Sequence, residues 1–251
     1  MSIEIKVNHL GIDYTINPQQ FCDISMPFTA QPNAARAWYI DPVKIEPVRI
    51  GDWVGSIKEG GTVNFNNIFF NPHAHGTHTE CVGHISKEDF SINKNLKQFF
   101  CLATLITVTP EERDEDLVID ARAFEQIRKA NTEALVIRTL PNTSIKLSMN
   151  YSNSNPPYIT SEAMQLLVDC GIKHLLIDLP SVDKEQDGGA LAAHHIFWQY
   201  PVAPRLDATI TEFVFIDSSI QDGVYMLNLQ VAPFENDASP SRPLLFPLQK
   251  T

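Results

Sequence analysis

The chain lacks any uninterrupted apolar run near the roughly 18 residues of a membrane span. Its opening, MSIEIKVNHLGIDYTI, alternates apolar with polar residues, so it has neither the basic start nor the apolar stretch of a secretory signal. A cytoplasmic location is therefore expected. Positive charge is scarce: 19 Lys+Arg stand against 30 Asp+Glu, a formal net charge of −11. Such a chain repels phosphate backbones and anionic membrane surfaces, which argues against nucleic acid and membrane as partners. The four cysteines, Cys22, Cys81, Cys101 and Cys170, include no C-x-x-C pair and sit in or beside apolar runs, as reduced core residues do. Ser25 and Ser181 lack the G-x-S-x-G context of a serine nucleophile. No internal repeat or low-complexity linker divides the 251 residues, and the Asn/Ser/Pro stretch 150–157 is too short to separate two domains.

What is present reads as one α/β domain with a mixed sheet flanked by helices. Alternation at residues 3–7 and 12–16, around Asn8 and Gly11, predicts an N-terminal strand pair. Residues 63–70 and 102–109 are further strand candidates, and 45–50 a weaker one that Pro47 confines to an edge. Two strand–helix–strand units follow. In the first, strand 117–119 meets Asp120 as N-cap, a helix carries Ala121, Phe124, Ile127 and Ala130 as its apolar stripe, and 136–140 is the next strand. In the second, a helix opens at Thr160, carries Met164, Leu166, Leu167 and Cys170, ends at Gly171 and leads to strand 174–178. Residues 208–216 and 224–231 are strand-like, separated by 217–223 with the composition of a hairpin turn. Residues 1–20 read as an N-terminal extension and 235–251 as a polar, proline-punctuated tail.

Six of the eight histidines fall in two places: His73, His75, His78 and His84 in NPHAHGTHTECVGH, then His194 and His195. Imidazole and carboxylate are the usual ligands of divalent transition metals, so four histidines around Glu80 point to a metal site rather than a solvated loop. On extended backbone His78 and Glu80 share a face. His75 and His73 lie three and five residues before His78, and either joins that face only through a turn at Gly76; spacing leaves the choice open.

These residues resemble a known family. HGTHTECVGH is similar to the H-x-G-T-H-x-D-x-P-x-H motif of the cyclase-like, kynurenine formamidase-like metal-dependent hydrolases. FCDISMPF resembles the family's opening strand, IDLPSVD its I-D-x-P-S-x-D, AAHH its A-H-H helix, and ATITEFVF its strand with a late glutamate, all in family order from about residue 21 to 215. The resemblance implies a swivelling β/β/α-like fold, one or two divalent ions, zinc first and manganese as the alternative, and hydrolysis of a small amide, formamide or lactone. It implies a small-molecule substrate and a homodimer or homotetramer. Carried over by position, His78, Glu80, His84, His194 and Glu212 become metal ligands, with His84, His194 and Glu212 around a second ion.

Three positions depart from the motif: its first histidine falls on Ala74, its aspartate is Glu80 and its proline is Val82. His73 is taken as the displaced first ligand. His84 and His195 are the candidates for protonating the leaving group. Asp178 and Asp183 are read as a strand-end cap and a turn former, and Trp38, Phe65, Phe69 and Trp198 as core more readily than as pocket lining. The departures also leave a second reading, a family member that binds a small molecule or metal without catalysis.

Overall fold

A computed structural model describes residues 4–251. Its main sheet has nine strands: β1 (Cys22–Asp23), β2 (His78–Glu80), β3 (Phe100–Val108), β4 (Ala134–Thr139), β5 (His174–Ile177), β6 (Thr209–Glu212), β7 (Gly223–Asn228), β8 (Ala238–Pro240) and β9 (Leu244–Pro247). Their spatial order is β8-β2-β6-β5-β4-β3-β7-β9-β1. The central four, β6-β5-β4-β3, run parallel, and every outer pairing is antiparallel. The helices are α1 (Pro72–His75), α2 (Ile92–Asn95), α3 (Ser161–Asp169) and α4 (Ala192–Trp198).

The core follows from alternation along the central strands. In β4, Leu135 and Ile137 face a layer with Met164 and Leu167 of α3 and Phe197 and Trp198 of α4, while Ala134 and Val136 face Ile24, Ile92, Leu227 and Leu245. Thr160 caps α3 by accepting a hydrogen bond from the Ala163 amide, as its sequence suggests. Each large apolar side chain buried this way contributes about 1.5–3 kcal/mol.

The sheet is curled until its ends meet. In a flat sheet β8 and β9 would lie seven strand spacings apart, about 34 Å. Only residues 241–243 connect them, a reach of at most about 14 Å. The curl is stitched by the Phe215 amide donating to the Ile24 carbonyl (2.8 Å) and the Thr77 amide to the Met26 carbonyl (3.2 Å).

Several expectations need correction. The 235–251 tail is part of the sheet, not a polar appendage: Leu245 is fully buried in β9, and Gln249–Lys250 pairs with Ile12–Ile16. Residues 217–223 form no hairpin, because β6 and β7 are separated by β5, β4 and β3. The helix at Ala121–Lys129 is a 3-10 helix, capped by Asp120 through the Arg122 amide. Residues 63–70 keep strand geometry only over Asn66–Phe69, and 45–50 splits into Lys44–Pro47 and Arg49–Ile50. Strand 208–216 ends regular pairing at Glu212, where buried Phe213 adopts a left-handed φ of 56°. The N-terminal pair forms as Ile5–His9 with Ile12–Ile16; residue 3 of the expected strand 3–7 lies outside the described residues. Among the described residues no helix is long and apolar enough to cross a membrane.

His174, at the start of β5, is 2% exposed, with Nδ1 2.9 Å from Thr209 Oγ1. Burial pushes its pKa from 6.5 down to about 4, against the weaker pull of Glu133 and Asp207. The ring is neutral in the folded protein, whereas the unfolded chain takes up a proton near 6.5. The stabilisation this provides is complete above pH 6.5 and is lost as pH falls toward 4, up to about 3 kcal/mol. We expect His174→Gln to remove this part of the acid sensitivity. Urea unfolding of both proteins at pH 7 and pH 4.5 checks it: the wild type should lose more stability between the two than the variant.

Candidate metal centre

The site is built where β2, β6 and α1 meet. Asn71 caps α1 by accepting from the His73 amide, and Pro72 sits at the first helical position. After this single turn the chain passes Gly76, where a Cβ would come within 2.8 Å of the Phe28 ring, and enters β2. Thr77 locks the entry: its hydroxyl accepts from the Met26 amide (2.6 Å) and donates to the Phe213 carbonyl. In β2, His78 and Glu80 project to one face, while Thr79 on the other bonds Thr211 of β6 at 2.8 Å. Antiparallel register sets Glu212 opposite His78. Sequence spacing and pairing together therefore converge these three side chains.

Histidines close around Glu80, which is fully buried. Its Oε1 lies 3.1 Å from His194 Nε2, and its Oε2 lies 3.1 Å from His73 Nδ1 and 3.7 Å from His84 Nδ1. His78 Nε2 is 3.3 Å from Glu212 Oε2, and the other Glu212 oxygen accepts from the Val182 amide at 3.1 Å. Three groups bring ligand atoms within 4.8 Å of one another: His73–His78–Glu80, Glu80–His84–His194 and His73–His84–Asp237.

The predicted residues His73, His78, Glu80, His84, His194 and Glu212 thus come together from distant parts of the chain. His75 does not join them; its Nε2 donates to the Asp41 carbonyl (2.8 Å) and its Nδ1 accepts from the Asn71 amide (2.9 Å). His195 does not join them either. Successive helix residues diverge by about 100°, so with His194 turned inward, His195 points to the Tyr200 carbonyl (3.1 Å). Its candidacy for proton delivery is withdrawn on that geometry. Trp198 is core as expected, although its ring stacks 5.4 Å from His194. Phe65 and Phe69 are exposed and away from the cluster, whereas Trp38 lines the pocket.

Two carboxylates were not anticipated. Asp183 is more than a turn former: it accepts from the amides of Ala193 (2.7 Å) and His194 (3.1 Å) and from His194 Nδ1 (2.6 Å). Its place in IDLPSVD, eleven residues before His194, was the available signal. Asp237, beside β8, lies 2.9 Å from His73 Nε2 and 3.3 Å from His84 Nδ1. Nothing in its local sequence marks it.

Charge in the site is finely opposed. Burial disfavours the charged form of every group, yet the Asp237 and Glu80 carboxylates beside His73 outweigh this and raise its pKa to about 10. His194 is likewise held well above its ordinary value despite burial, by Asp183 and Glu80. Glu80 and Asp237 are lowered, burial opposing and the surrounding histidines prevailing.

A wanting proton or cation is visible directly. The Gly76 carbonyl can only accept, so His78 carries its hydrogen on Nδ1 (3.1 Å) and turns the Nε2 lone pair toward Glu212. His78 Nε2 and Glu80 Oε2 are buried and lack hydrogen-bond partners. Two facing lone pairs in a dry site are costly unless a positive charge lies between them. The donor set of imidazoles and carboxylates suits a divalent transition metal.

Beside the cluster lies an open cavity of about 290 Å³ that His73, His84, His194 and Glu212 share with apolar Trp38 and Leu191 and with charged Lys184 and Asp187. Trp38 and Leu191 hold left-handed φ values of 63° and 43°. Such backbone outliers gather at functional sites in folded proteins.

The sequence model of the family described as "Putative cyclase" matches residues 22–184. The chain belongs to that family. Among its relatives, the kynurenine formamidase of Bacillus cytotoxicus is 28% identical over 192 residues, covering 76% of this chain and 84% of the relative. That of Bacillus mycoides is 26% identical over 234 residues, covering 91% and 98%. A predicted metal-dependent hydrolase from Bacillus stearothermophilus superposes with a TM-score of 0.62 at 15% identity, over 90% of this chain and 98% of that one. Isatin hydrolase A from Labrenzia aggregata, bound to benzyl benzoate, gives 0.63 at 14% identity, over 92% and 94%. At such identities the structural likeness establishes the shared cyclase-family fold.

Proposed function

We propose that this cyclase-family chain is a metal-dependent hydrolase of small carbonyl compounds, with aryl formamides first among amides and lactones. The observation that carries this reading is the pair of buried, unpartnered atoms His78 Nε2 and Glu80 Oε2 inside a ring of four histidines. His73, His78, Glu80, His84, His194 and Glu212 would hold one or two divalent ions, zinc first and manganese second as the family resemblance implies, their mixed nitrogen and oxygen donors suiting either. Bound there, such an ion supplies Lewis acidity toward water and toward the substrate carbonyl. The names of the relatives, kynurenine formamidase and isatin hydrolase, support a C–N bond as the one cleaved.

The chain's own groups do the rest. Trp38, Ile40 and Leu191 give the pocket an apolar side for a small substrate, beside the polar Lys184, Glu185 and Asp187. Glu212, fixed by the Val182 amide, and Glu80, fixed by histidines, are held without freedom to reorient. With the ion held by the other five residues, His84, 28% exposed and therefore the most open of the cluster's histidines, is the group placed to carry a proton to the departing nitrogen.

Hydrolysis of N-formylkynurenine by protein purified without added metal, before and after dialysis against a chelator, tests this. Expected is turnover that the chelator abolishes and zinc or manganese restores. Bound metal with no turnover across formamides, isatin-like amides and lactones would instead support the non-catalytic binding protein.

The structure also bears on self-association. Residues 44–69 project as two small antiparallel ribbons carrying eight exposed large apolar side chains: Ile45, Ile50, Trp53, Ile57, Val63, Phe65, Ile68 and Phe69. Their combined exposure is roughly 800 Å², the size of one side of a standard interface. Within this arm three basic residues balance three acidic ones, so it is neutral in a chain of net charge −11 and can meet its own copy without repulsion. A homodimer through the arm is our reading. Light scattering should give twice the monomer mass for the wild type and a folded monomer for Ile50→Lys/Ile68→Lys; a wild-type monomer at micromolar concentration would refute it.

A further inference from the structure

The family motif's first histidine is missing here, because that position holds Ala74, fully buried. His73 enters the site instead, and one ring has two nitrogens that could face the cluster. What selects between them is Asp237.

Asp237 is held firmly. Its carbonyl accepts from the Cys81 amide (3.0 Å), the neighbouring Asn236 carbonyl accepts from the Ile92 amide (2.8 Å), and Ala238 pairs with Glu80 across the β8–β2 ladder. The Asp237 side chain is therefore delivered next to Glu80 by strand register. Its Oδ2 sits 2.9 Å from His73 Nε2. A carboxylate can only accept, so with a metal ion shared between Nδ1 and Glu80 Oε2, 3.1 Å apart, His73 keeps its one hydrogen on Nε2 for Asp237 and offers the Nδ1 lone pair to the ion.

The other side of the site repeats this arrangement. Asp183 holds His194 Nδ1 at 2.6 Å, which turns Nε2 toward Glu80 Oε1 at 3.1 Å. Each oxygen of Glu80 thus faces a histidine nitrogen whose ring is backed by an aspartate. Carboxylates that fix a ligand histidine's tautomer and orientation are the outer support of metal sites. Asp183 lies within residues 22–184 covered by the family's sequence model, and Asp237 lies beyond them.

We propose that Asp237 is the positioning residue that makes His73 Nδ1 a metal ligand in place of the histidine absent at position 74. This rests on the divalent-metal reading above. Asp237 then acts through His73 and not as a ligand itself.

Cobalt(II) titration of the full chain, followed by its visible absorption and by zinc competition, tests this in Asp237→Ala, Asp237→Asn, His73→Ala and the double variant Asp237→Ala/His73→Ala. Expected is a 10–100-fold weaker affinity in Asp237→Ala with the wild-type band shape retained, because the ligand set is unchanged. Asp237→Asn keeps an acceptor oxygen and should fall between the two. His73→Ala should alter the band, and adding Asp237→Ala to it should weaken binding no further.

Wild-type affinity in both Asp237 variants, or equal losses from Asp237→Ala with and without His73, overturns the proposal. A changed band in the near-isosteric Asp237→Asn also overturns it, by making Asp237 itself a ligand. A wild-type protein that takes up no cobalt or zinc overturns the metal reading as a whole, an outcome separate from these. Thermal unfolding of each metal-free variant identifies any that fail to fold, and Asp237→Asn carries the test if Asp237→Ala is among them.

Discussion

Glu80→Gln is expected to abolish divalent-metal binding and to reduce formamide hydrolysis by at least about 1,000-fold, the loss typical of dismantling a preorganised electrostatic site. Glu80 is the hub: three histidines from three parts of the chain face its two oxygens, and its side chain is fully buried. An amide in its place presents hydrogens to ring nitrogens that need a shared cation, and removes one of the charges that would hold it. His75→Ala is the informative partner, since His75 faces Asp41 and not the cluster. Elemental analysis should find wild-type metal in His75→Ala, less in His73→Ala and none in Glu80→Gln. Metal retained by His73→Ala but lost from His75→Ala would reverse the assignment of the displaced ligand.

Lys146→Met should destabilise the fold by about 3–5 kcal/mol without touching the metal cluster. Asp178 is fully buried at the end of β5, where it accepts from the Thr139 amide and hydroxyl and meets Lys146 Nζ at 2.7 Å. Burial pushes its carboxyl pKa up even with the ammonium beside it. Removing that ammonium leaves a carboxylate with no counter-charge in the interior. Neutralising it as well, in Lys146→Met/Asp178→Asn, should recover most of the loss, because the uncompensated charge and not the missing contact dominates. Urea midpoints of the three proteins decide the matter. A single-variant loss below about 1 kcal/mol, the range of an exposed ion pair, would show that water reaches Asp178.

Much of the site was written in local pattern. His78 and Glu80 are two apart in a strand, and the paired strand's glutamate falls opposite by register. Residues 121, 124, 127 and 130 repeat every three positions, the 3-10 period rather than the 3.6 of an α-helix, so the type of that helix was legible too. What stayed hidden depends on long-range closure. Asp237 sits in a segment whose prolines and polar residues suggest a loop, and only the curling of the sheet brings it beside Glu80. Leu244, Leu245 and Phe246 were the overlooked sign that this tail is buried. His194 and His195 could not be told apart by spacing, because which face of a short helix turns inward is set by the layer beneath it.

The clasp formed by β8 and β9 makes one short segment responsible for both margins of the sheet. Both ends of the sheet are joined by the final fifteen or so residues, and the same segment supplies Asp237. Proteolytic loss of residues 237–247 would open the sheet at both margins together and take Asp237 from the cluster, tying the lifetime of the metal site to that one segment.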